Sequence, residues 1–452
     1  MNLSTIINFV GGGFLVFVLL LLGGAFLLNQ HLQSTEFKES ILTAVRDATG
    51  MEVDLQAMHI SLLSGVTLQG VTFANPEGFA NDLLTVQELV LRYRLFPLLF
   101  RRVEIDELRI LRPVVRFVQR EDESWNFEQL LPGQKELEPS SEFREAGFVS
   151  GSTVDIELSK FFINQGEVFM RDSSDRLLTH VQGITLASAV SFAESAPNVT
   201  GKLSLEEVDL GGSLFVKELD SPVEISKDHI ALSTVSGKVA GGSLSGEMAF
   251  KIAPEFSFTL DLGLEDADVA QLLEEAEISL GMTGRLQVRI QAGGNSELAA
   301  MTGEGKVELV QGRISGLPAQ DFVAGLLQVP ALREIEFGEV LLEYSLADNV
   351  LNTPVVRMIS PLIQVTGAGR LLLSNKTLDH NMTMALSEEV LASVPKQFLQ
   401  AFEHRDDGFH MVQFRVWGPY DSPSTDLQYR LVQGVTNELL DNGLNFLRGL
   451  FR

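Results

Sequence analysis

From residue 51 onward the chain alternates apolar and polar residues. Examples are Val103-Glu104-Ile105-Asp106, Val154-Asp155-Ile156-Glu157-Leu158 and Leu286-Gln287-Val288-Arg289-Ile290-Gln291. Leu260-Asp261-Leu262-Gly263-Leu264-Glu265 and Leu427-Gln428-Tyr429-Arg430-Leu431 read the same way. A period of two places successive side chains on opposite faces of a strand. Alternation this strict predicts antiparallel sheet with one dry and one wet face, because buried parallel strands read as continuous apolar runs. A degenerate unit recurs, Thr or Ser, then Gly, then an alternating strand. It appears at Thr200-Gly201, Ser245-Gly246 and Thr283-Gly284, and as TGEGKVEL from Thr302 and TGAGRLLL from Thr366. Its spacing is irregular, which excludes a propeller or leucine-rich array and predicts one strand type reused in a long meander.

Few helices interrupt the pattern. Phe37, Ile41, Val45 and Ala48 form one apolar stripe, with Thr35 placed to cap its start and Gly50 its end. A second helix is expected from Pro318 to Gln328, opened by proline. A third spans Ser387 to Phe402, broken near Pro395. A fourth spans Val435 to Phe451, with Leu439, Leu440, Leu444, Leu447 and Phe451 on one stripe and Arg448 and Arg452 at its end; it caps the end of the sheet, the alternative being that it lies on a membrane surface. So few helices cannot shield the apolar faces of roughly twenty strands, and each face must leave water. The sheet therefore closes on itself as a sandwich or barrel, or keeps an open apolar channel filled by a ligand.

The start of the chain is of another kind. Residues 1–30 contain no Asp, Glu, Lys or Arg. Phe9, Val10, Phe14, Leu15, Phe17, Leu20, Leu22, Phe26 and Leu28 belong to one twenty-residue apolar run from Phe9 to Leu28. About 20 apolar residues cross a bilayer as a helix. A cleavable leader has a shorter apolar region of ~7–15 residues, with positive charge before it, and here Asn29-Gln30-His31 follows the run instead of a small-residue cleavage site. A retained single-pass anchor is expected. A long domain after such an anchor is translocated largely regardless of flanking charge, which places the body outside the cytoplasm.

A net charge of −26 excludes nucleic acid as a partner. The absence of Cys excludes disulfides, thiolate metal sites and Cys nucleophiles. The seven His are scattered, and His404, His410, Asp406 and Asp407 match no zinc spacing. GGSLSG at 241–246 is not a nucleophile elbow. TGEGKV and TGAGRL lack the last Gly of a dinucleotide loop, so glycines at strand starts explain them. No catalytic residue, metal or cofactor is expected, and the chain is read as a non-enzyme. Between Arg92 and Arg120 stand eight Arg against Glu104, Asp106 and Glu107. Arg92, Arg94, Arg101 and Arg102 are candidates for lipid headgroup contact, since Arg pairs well with phosphate. A solvated strand face balanced by acidic neighbours is the alternative.

Several segments in order resemble the AsmA-like family of bacterial envelope proteins, relatives of repeating β-groove lipid-transfer proteins. The anchor and the helix after it are followed by LQGVTFANPEGFAND (Leu68 to Asp82), and then by LVLRYRLFPLLFRRVEIDELRILRPVVRFVQR (Leu89 to Arg120). Ser124-Trp125-Asn126-Phe127 stands where the family has a Trp turn. Thr302 to Pro318, Ile335 to Leu373 and Phe414-Arg415-Val416-Trp417-Gly418 with Pro423 resemble later family elements. The domain plan is an anchor at 1–30, an AsmA-like helix and β segment at 31–131, and a polar loop at 132–153. A continued β-groove at 154–432 and an amphipathic helix at 433–452 complete it.

The resemblance implies a mostly β fold, a long twisted antiparallel sheet folded into an open U-shaped groove with a few capping helices. It implies a body in the periplasm and an anchor in the bacterial inner membrane, with phospholipid acyl chains carried along the groove toward the outer membrane. Candidate lining residues are Leu203, Leu205, Leu286, Val288, Ile290, Val307, Leu309, Leu371 and Leu373. The 29 Phe against 4 Tyr and 2 Trp suit a dry lining, since Phe has no polar atom to satisfy. Some twenty strands at ~4.8 Å would give a groove on the order of 100 Å, so partner envelope proteins or self-association would complete the span. A closed β body serving as an assembly factor for envelope components is the other reading.

Overall fold

A computed structural model describes residues 51–127 and 156–432 and a few isolated positions before 51. Short breaks fall at 62–64, 77, 80, 95–96, 98–102, 194–195, 253–254 and 296–299. The expected anchor at 1–30, the loop at 132–153 and the closing helix at 433–452 lie outside the described residues, as do Arg101 and Arg102. Of the helix expected at 36–48, Leu42 is described and packs against a buried core.

The described chain is mostly strand, twenty-one in all, and divides into two compact units. The first holds residues 1–238 and 247–258, the second 239–246 and 259–452. In the first unit the strands are β1 (Val53–Ser61), β2 (Gly65–Ala74), β3 (Asp82–Tyr93), β4 (Val103–Val118), β5 (Ile156–Leu158), β6 (Lys160–Arg171), β7 (Leu177–Ala193), β8 (Ala196–Asp209) and β9 (Phe215–Ile225). β10 (His229–Val239) follows, and β11 (Gly242–Lys251) and β12 (Ser257–Asp268) are divided between the units. The second unit continues with α1 (Val269–Glu275), β13 (Gly281–Asn295), β14 (Thr302–Ser315), α2 (Pro318–Leu327), β15 (Glu334–Ala347), β16 (Val350–Ile359), β17 (Ile363–Leu372) and β18 (Thr377–Ser387). It ends with α3 (Glu388–Leu391), β19 (Glu403–His404), β20 (Phe409–Pro419), β21 (Ser424–Thr425) and α4 (Leu427–Val432).

Pairing is antiparallel between successive strands, as the alternation predicts, with one exception. β4 pairs in parallel with β5 and then with β6, Leu108 lying opposite Phe161 and Val118 opposite Arg171. Parallel neighbours need a long crossover, and residues 119–155 supply it. The polar segment 132–153 is thus part of a connection whose flanking strands share one sheet. In the first unit pairing runs from β1 to β4 and on through β6 to β10. In the second it runs from β13 to β18 and on to β20. Neither series pairs its last strand back to its first among the described residues, so each unit's sheet is open.

Two sequence expectations change here. Leu427 to Leu431 is helix α4, not strand. Leu427 and Leu431 are both buried at a spacing of four, which a helix places on one face as readily as a strand does. The glycines of the Thr-Gly repeat also lie mostly within strands rather than at their starts: Gly201 in β8, Gly246 in β11, Gly284 in β13 and Gly367 and Gly369 in β17. Only Thr302 opens its strand.

A line of backbone irregularities crosses the first unit. Gly70, Arg112, Gln165, Gly183 and Glu218 all adopt positive φ, between 48° and 66°. Strand register places them along one line. Arg112 falls opposite Gln87, between the pairs Leu111–Glu88 and Pro113–Val86, and its guanidinium donates to Gln87 at 3.4 Å and to Gln165 at 3.1 Å. Glu218 falls opposite Glu206, between the pairs Leu205–Leu219 and Glu207–Lys217. At this line the inward-facing series slips by one residue, from Leu203 and Leu205 to Val208 on β8 and from Leu219 to Val216 on β9. A bulge bends its strand and increases its twist, and bulges aligned across neighbours bend the sheet along one crease.

Candidate functional site

Residues directly opposite in antiparallel strands lie on the same face, so register shows what each face is made of. In the second unit one row reads Val288, Val307, Leu342, Val356, Gly367, Met382 and Phe414, one residue from each of seven strands. The next reads Leu286, Leu309, Val340, Met358, Val365, Met384 and Val412. Toward the other ends of the strands lies Ala292, Gly303, Leu346, Leu351, Leu371, Leu378 and Gly418. No charged residue enters these three rows. The opposite face carries the ions, among them the pairs Arg289–Asp261, Arg313–Glu336 and Arg415–Asp379.

This apolar face is not a filled core. Along β13, Met282, Leu286, Val288 and Ile290 are all half-buried, while Thr283, Arg285, Gln287 and Arg289 between them are exposed. Val307, Leu342, Val356, Met382 and Phe414 are half-buried as well. Burial is most complete toward one end of the sheet. There Leu327, Leu332, Ile363, Leu386, Val390 and Leu431 form a core with α2, α3 and α4. The sequence places α2 at 318–328, but of the helix expected from Ser387 to Phe402 only Glu388–Leu391 is α-helical, with a 3-10 turn at Leu399–Ala401. Ser387 caps α3 at Val390 N–H, and Gln328 closes α2 in the left-handed conformation.

The repeat glycines shape the face. A Cβ on Gly305 would meet the Tyr344 ring, on Gly367 the Met382 sulfur, on Gly369 the His380 ring and on Gly312 the Phe337 ring. Each glycine is therefore the bed on which a large side chain of the next strand lies flat, which keeps the face level instead of ridged.

The first unit has an equivalent face on the far side of its crease. Val53, Phe73, Leu84, Val115, Val168, Val181, Val208 and Val216 stand in one row over eight strands. Val53 and Phe73 are buried, and the other six are half-buried. On the near side, Ile60, Val66, Leu91 and Leu108 belong to a well-buried core, and Leu186, Leu219, Val223, Leu232 and Val235 to another.

The lining candidates divide accordingly. Val288, Ile290, Val307 and Leu371 are half-buried on the apolar face of the second unit, whereas Leu309 is buried in a core with Val269, Ile314 and Phe337 and Leu286 packs against it. Leu203 and Leu205 are half-buried as well and pack against the core of Leu219 and Val223. Leu373 lies one residue past β17, its N–H bonded to the Asn349 carbonyl. The rows are aliphatic, with Phe414 the one Phe in the three described above, because β-branched and aliphatic side chains pack best on a pleated surface.

The headgroup candidates Arg92 and Arg94 lie on the face opposite Leu89, Leu91 and Tyr93, which are buried. Arg94 pairs with Asp106 at 2.8 Å and Glu104 at 3.3 Å, and Arg92 with Glu107 at 4.0 Å. Their charge is balanced on a solvated strand face. Arg109 stands 5.3 Å over the Phe162 ring and Arg120 4.0 Å over the Phe79 ring. His404 Nδ1 and His410 Nε2 meet at 3.3 Å across β19 and β20. Among the described residues no three metal-ligating side chains converge, and no helix is long and apolar enough to cross a membrane.

Two motif segments come together at the end of the first unit. The amide of Asn126 is fully buried and donates to Asn75 Oδ1 at 2.8 Å and the Arg116 carbonyl at 2.7 Å, while its Oδ1 accepts from Val118 N–H at 3.1 Å. Trp125 stacks on Phe127, which meets Phe117 edge to face. Gly78 at φ 87° leaves room for Arg120. The Asn-Pro-x-Gly-Phe and Trp-Asn-Phe stretches are thus two halves of one latch. Sequence reasoning missed the crease and this latch. The signals were doubled polar residues inside strands, such as Gln87-Glu88, Glu206-Glu207 and Lys217-Glu218, and a lone Asn between two aromatics.

Residues 8–221 match the model of the AsmA family. No curated protein and no solved structure matches the chain.

Proposed function

We propose, from the premise that this chain is an AsmA-like family protein, that it is a lipid-binding protein of the bacterial envelope. In this reading the apolar run Phe9 to Leu28 anchors it in the inner membrane and the β body stands in the periplasm. Acyl chains of phospholipid lie along the apolar face of each unit, each open sheet serving as a lining, on the way toward the outer membrane. The headgroups stay in water, and no chemical step is involved.

The observation that carries this reading is the half-exposed row Val288, Val307, Leu342, Val356, Met382 and Phe414, continuous over strands that few helices cover. An apolar patch of this extent is unusual on a surface meant to face water alone. Each CH₂ of an acyl chain kept dry there is worth about 0.8 kcal/mol, and a row of similar residues offers many near-equivalent positions, so a chain is held without being trapped. The test is a charge placed in the lining. Full-length protein purified from bacterial membranes is analysed for bound phospholipid, with and without Leu342→Glu. Phospholipid on the parent protein and its loss from a folded L342E variant support the reading. Equal lipid on both overturns it.

A further inference from the structure

One row of the second unit's apolar face is different. Between the rows of Val307 and Leu371 runs Ile290, Gly305, Tyr344, Thr353, Gly369, His380 and Val416. Tyr344 and Thr353 meet at an irregularity in the β15–β16 pairing, which slips between Glu343 and Ser345. Three hydrogen-bonding side chains therefore cross an otherwise apolar surface in single file.

Their setting is built. Tyr344 lies over Gly305 and His380 over Gly369, in beds that no other residue would leave. Thr353 is buried, its hydroxyl 2.7 Å from His380 Nε2 and 3.2 Å from the Gly369 carbonyl. The hydroxyl donates to the Gly369 carbonyl, which can only accept, so in the shorter contact the ring donates from Nε2 to the hydroxyl oxygen. Thr353 and His380 thereby satisfy each other. The Tyr344 hydroxyl has no hydrogen-bond partner among the described residues and is the free donor of the row.

We propose that this row receives the ester linkages of a diacyl lipid, with the Tyr344 hydroxyl, lying over Gly305, as its donor station. The inference rests on the proposed lipid-binding role and names the part of the lipid that the face recognises beyond its hydrocarbon. A plain apolar lining holds any long chain. A lining with a donor set into it favours a chain that carries carbonyl oxygens, because a donor covered by hydrocarbon loses its bonds to water without replacement.

The test compares two lipids that differ only there. Full-length protein is incubated with vesicles containing equal parts of a diester phosphatidylethanolamine and its diether analogue, which lacks the carbonyls. Bound lipid is counted by mass spectrometry for the parent and for Tyr344→Phe, which keeps the ring and removes the donor. The parent is expected to enrich diester over diether about three- to tenfold, as one hydrogen bond allows, and the variant to take both equally. Equal uptake of both lipids by the parent, or a preference that survives in the variant, overturns this inference and leaves the lipid-binding reading standing. Uptake of neither lipid by the parent overturns both.

Discussion

Asn126 and Asn75 stand 51 residues apart in the chain and meet amide to amide, Nδ2 donating to Oδ1 at 2.8 Å, inside the latch that ends the first unit. Asn126 is fully buried and spends its remaining hydrogen bonds on the backbone of β4 at Arg116 and Val118. The contact ties the loop after β2 to the turn that begins the 119–155 crossover. It thereby fixes where the chain leaves the sheet before returning in parallel as β6.

Removing that amide takes one hydrogen bond each from the Arg116 carbonyl and the Val118 N–H, at about 1 kcal/mol or more each. Asn126→Ala is therefore expected to destabilise the first unit by about 2 kcal/mol. Chemical denaturation of the parent and variant reads this directly as a lower midpoint with an unchanged slope.

The glycine beds give a second expectation. Gly367→Ala sets a methyl against the Met382 sulfur and Gly305→Ala against the Tyr344 ring. Such overpacking costs typically about 1–3 kcal/mol. Because Met382 is flexible and Tyr344 is not, G305A should lower the thermal midpoint more than G367A. The reverse order would show that Tyr344 does not lie over Gly305.

Acid should loosen the same region. Burial holds the His380 pKa below its ordinary value of 6.5, with Asp379 opposing the shift. The unfolded chain then binds the His380 proton more readily than the folded one, so stability falls as pH drops below about 6.5 and stops falling beneath the folded pKa. Thr353 faces the ring on one side, Gly369 beneath it and Val416 on the next strand, while Arg415 is engaged with Asp379 at 2.7 Å on the opposite face. The thermal midpoint of His380→Phe should lack this part of the acid dependence; an identical pH profile for parent and variant would remove His380 as its source.

Much of this architecture is legible in the chain, and the failures have physical causes. Leu286 to Ile290 announces its strand and its dry face because alternation is a local consequence of backbone geometry. The segment 318–328 announces its helix through Pro318, and Ser387 announces the start of α3, since both act within one turn, but the expected length to Phe402 fails because α3 ends at Leu391, before Pro395. Leu427 to Leu431 misleads, since five residues with apolar ends fit period two and a spacing of four alike. The parallel return of β6 is invisible because a strand does not encode its partner's direction. The crease is written in Glu206-Glu207 and Lys217-Glu218, yet a doubled polar pair in one strand reads as a lapse until register lines it up with Arg112 and Gln165. Leu203 and Val307 look alike in sequence; only the packing around them separates a filled core from an open face.

The central claim is that the open face of the second unit holds lipid, and a crosslinker placed on either side of one strand tests it most directly. Val307 points into the apolar row, and its neighbour Lys306 is exposed on the other face and paired with Glu308 at 2.6 Å. A photoreactive amino acid at position 307 of the full-length protein, activated in living bacteria, should capture phospholipid detectable by mass spectrometry, and one at position 306 should not. Capture at neither position, or equal capture at both, would contradict the account.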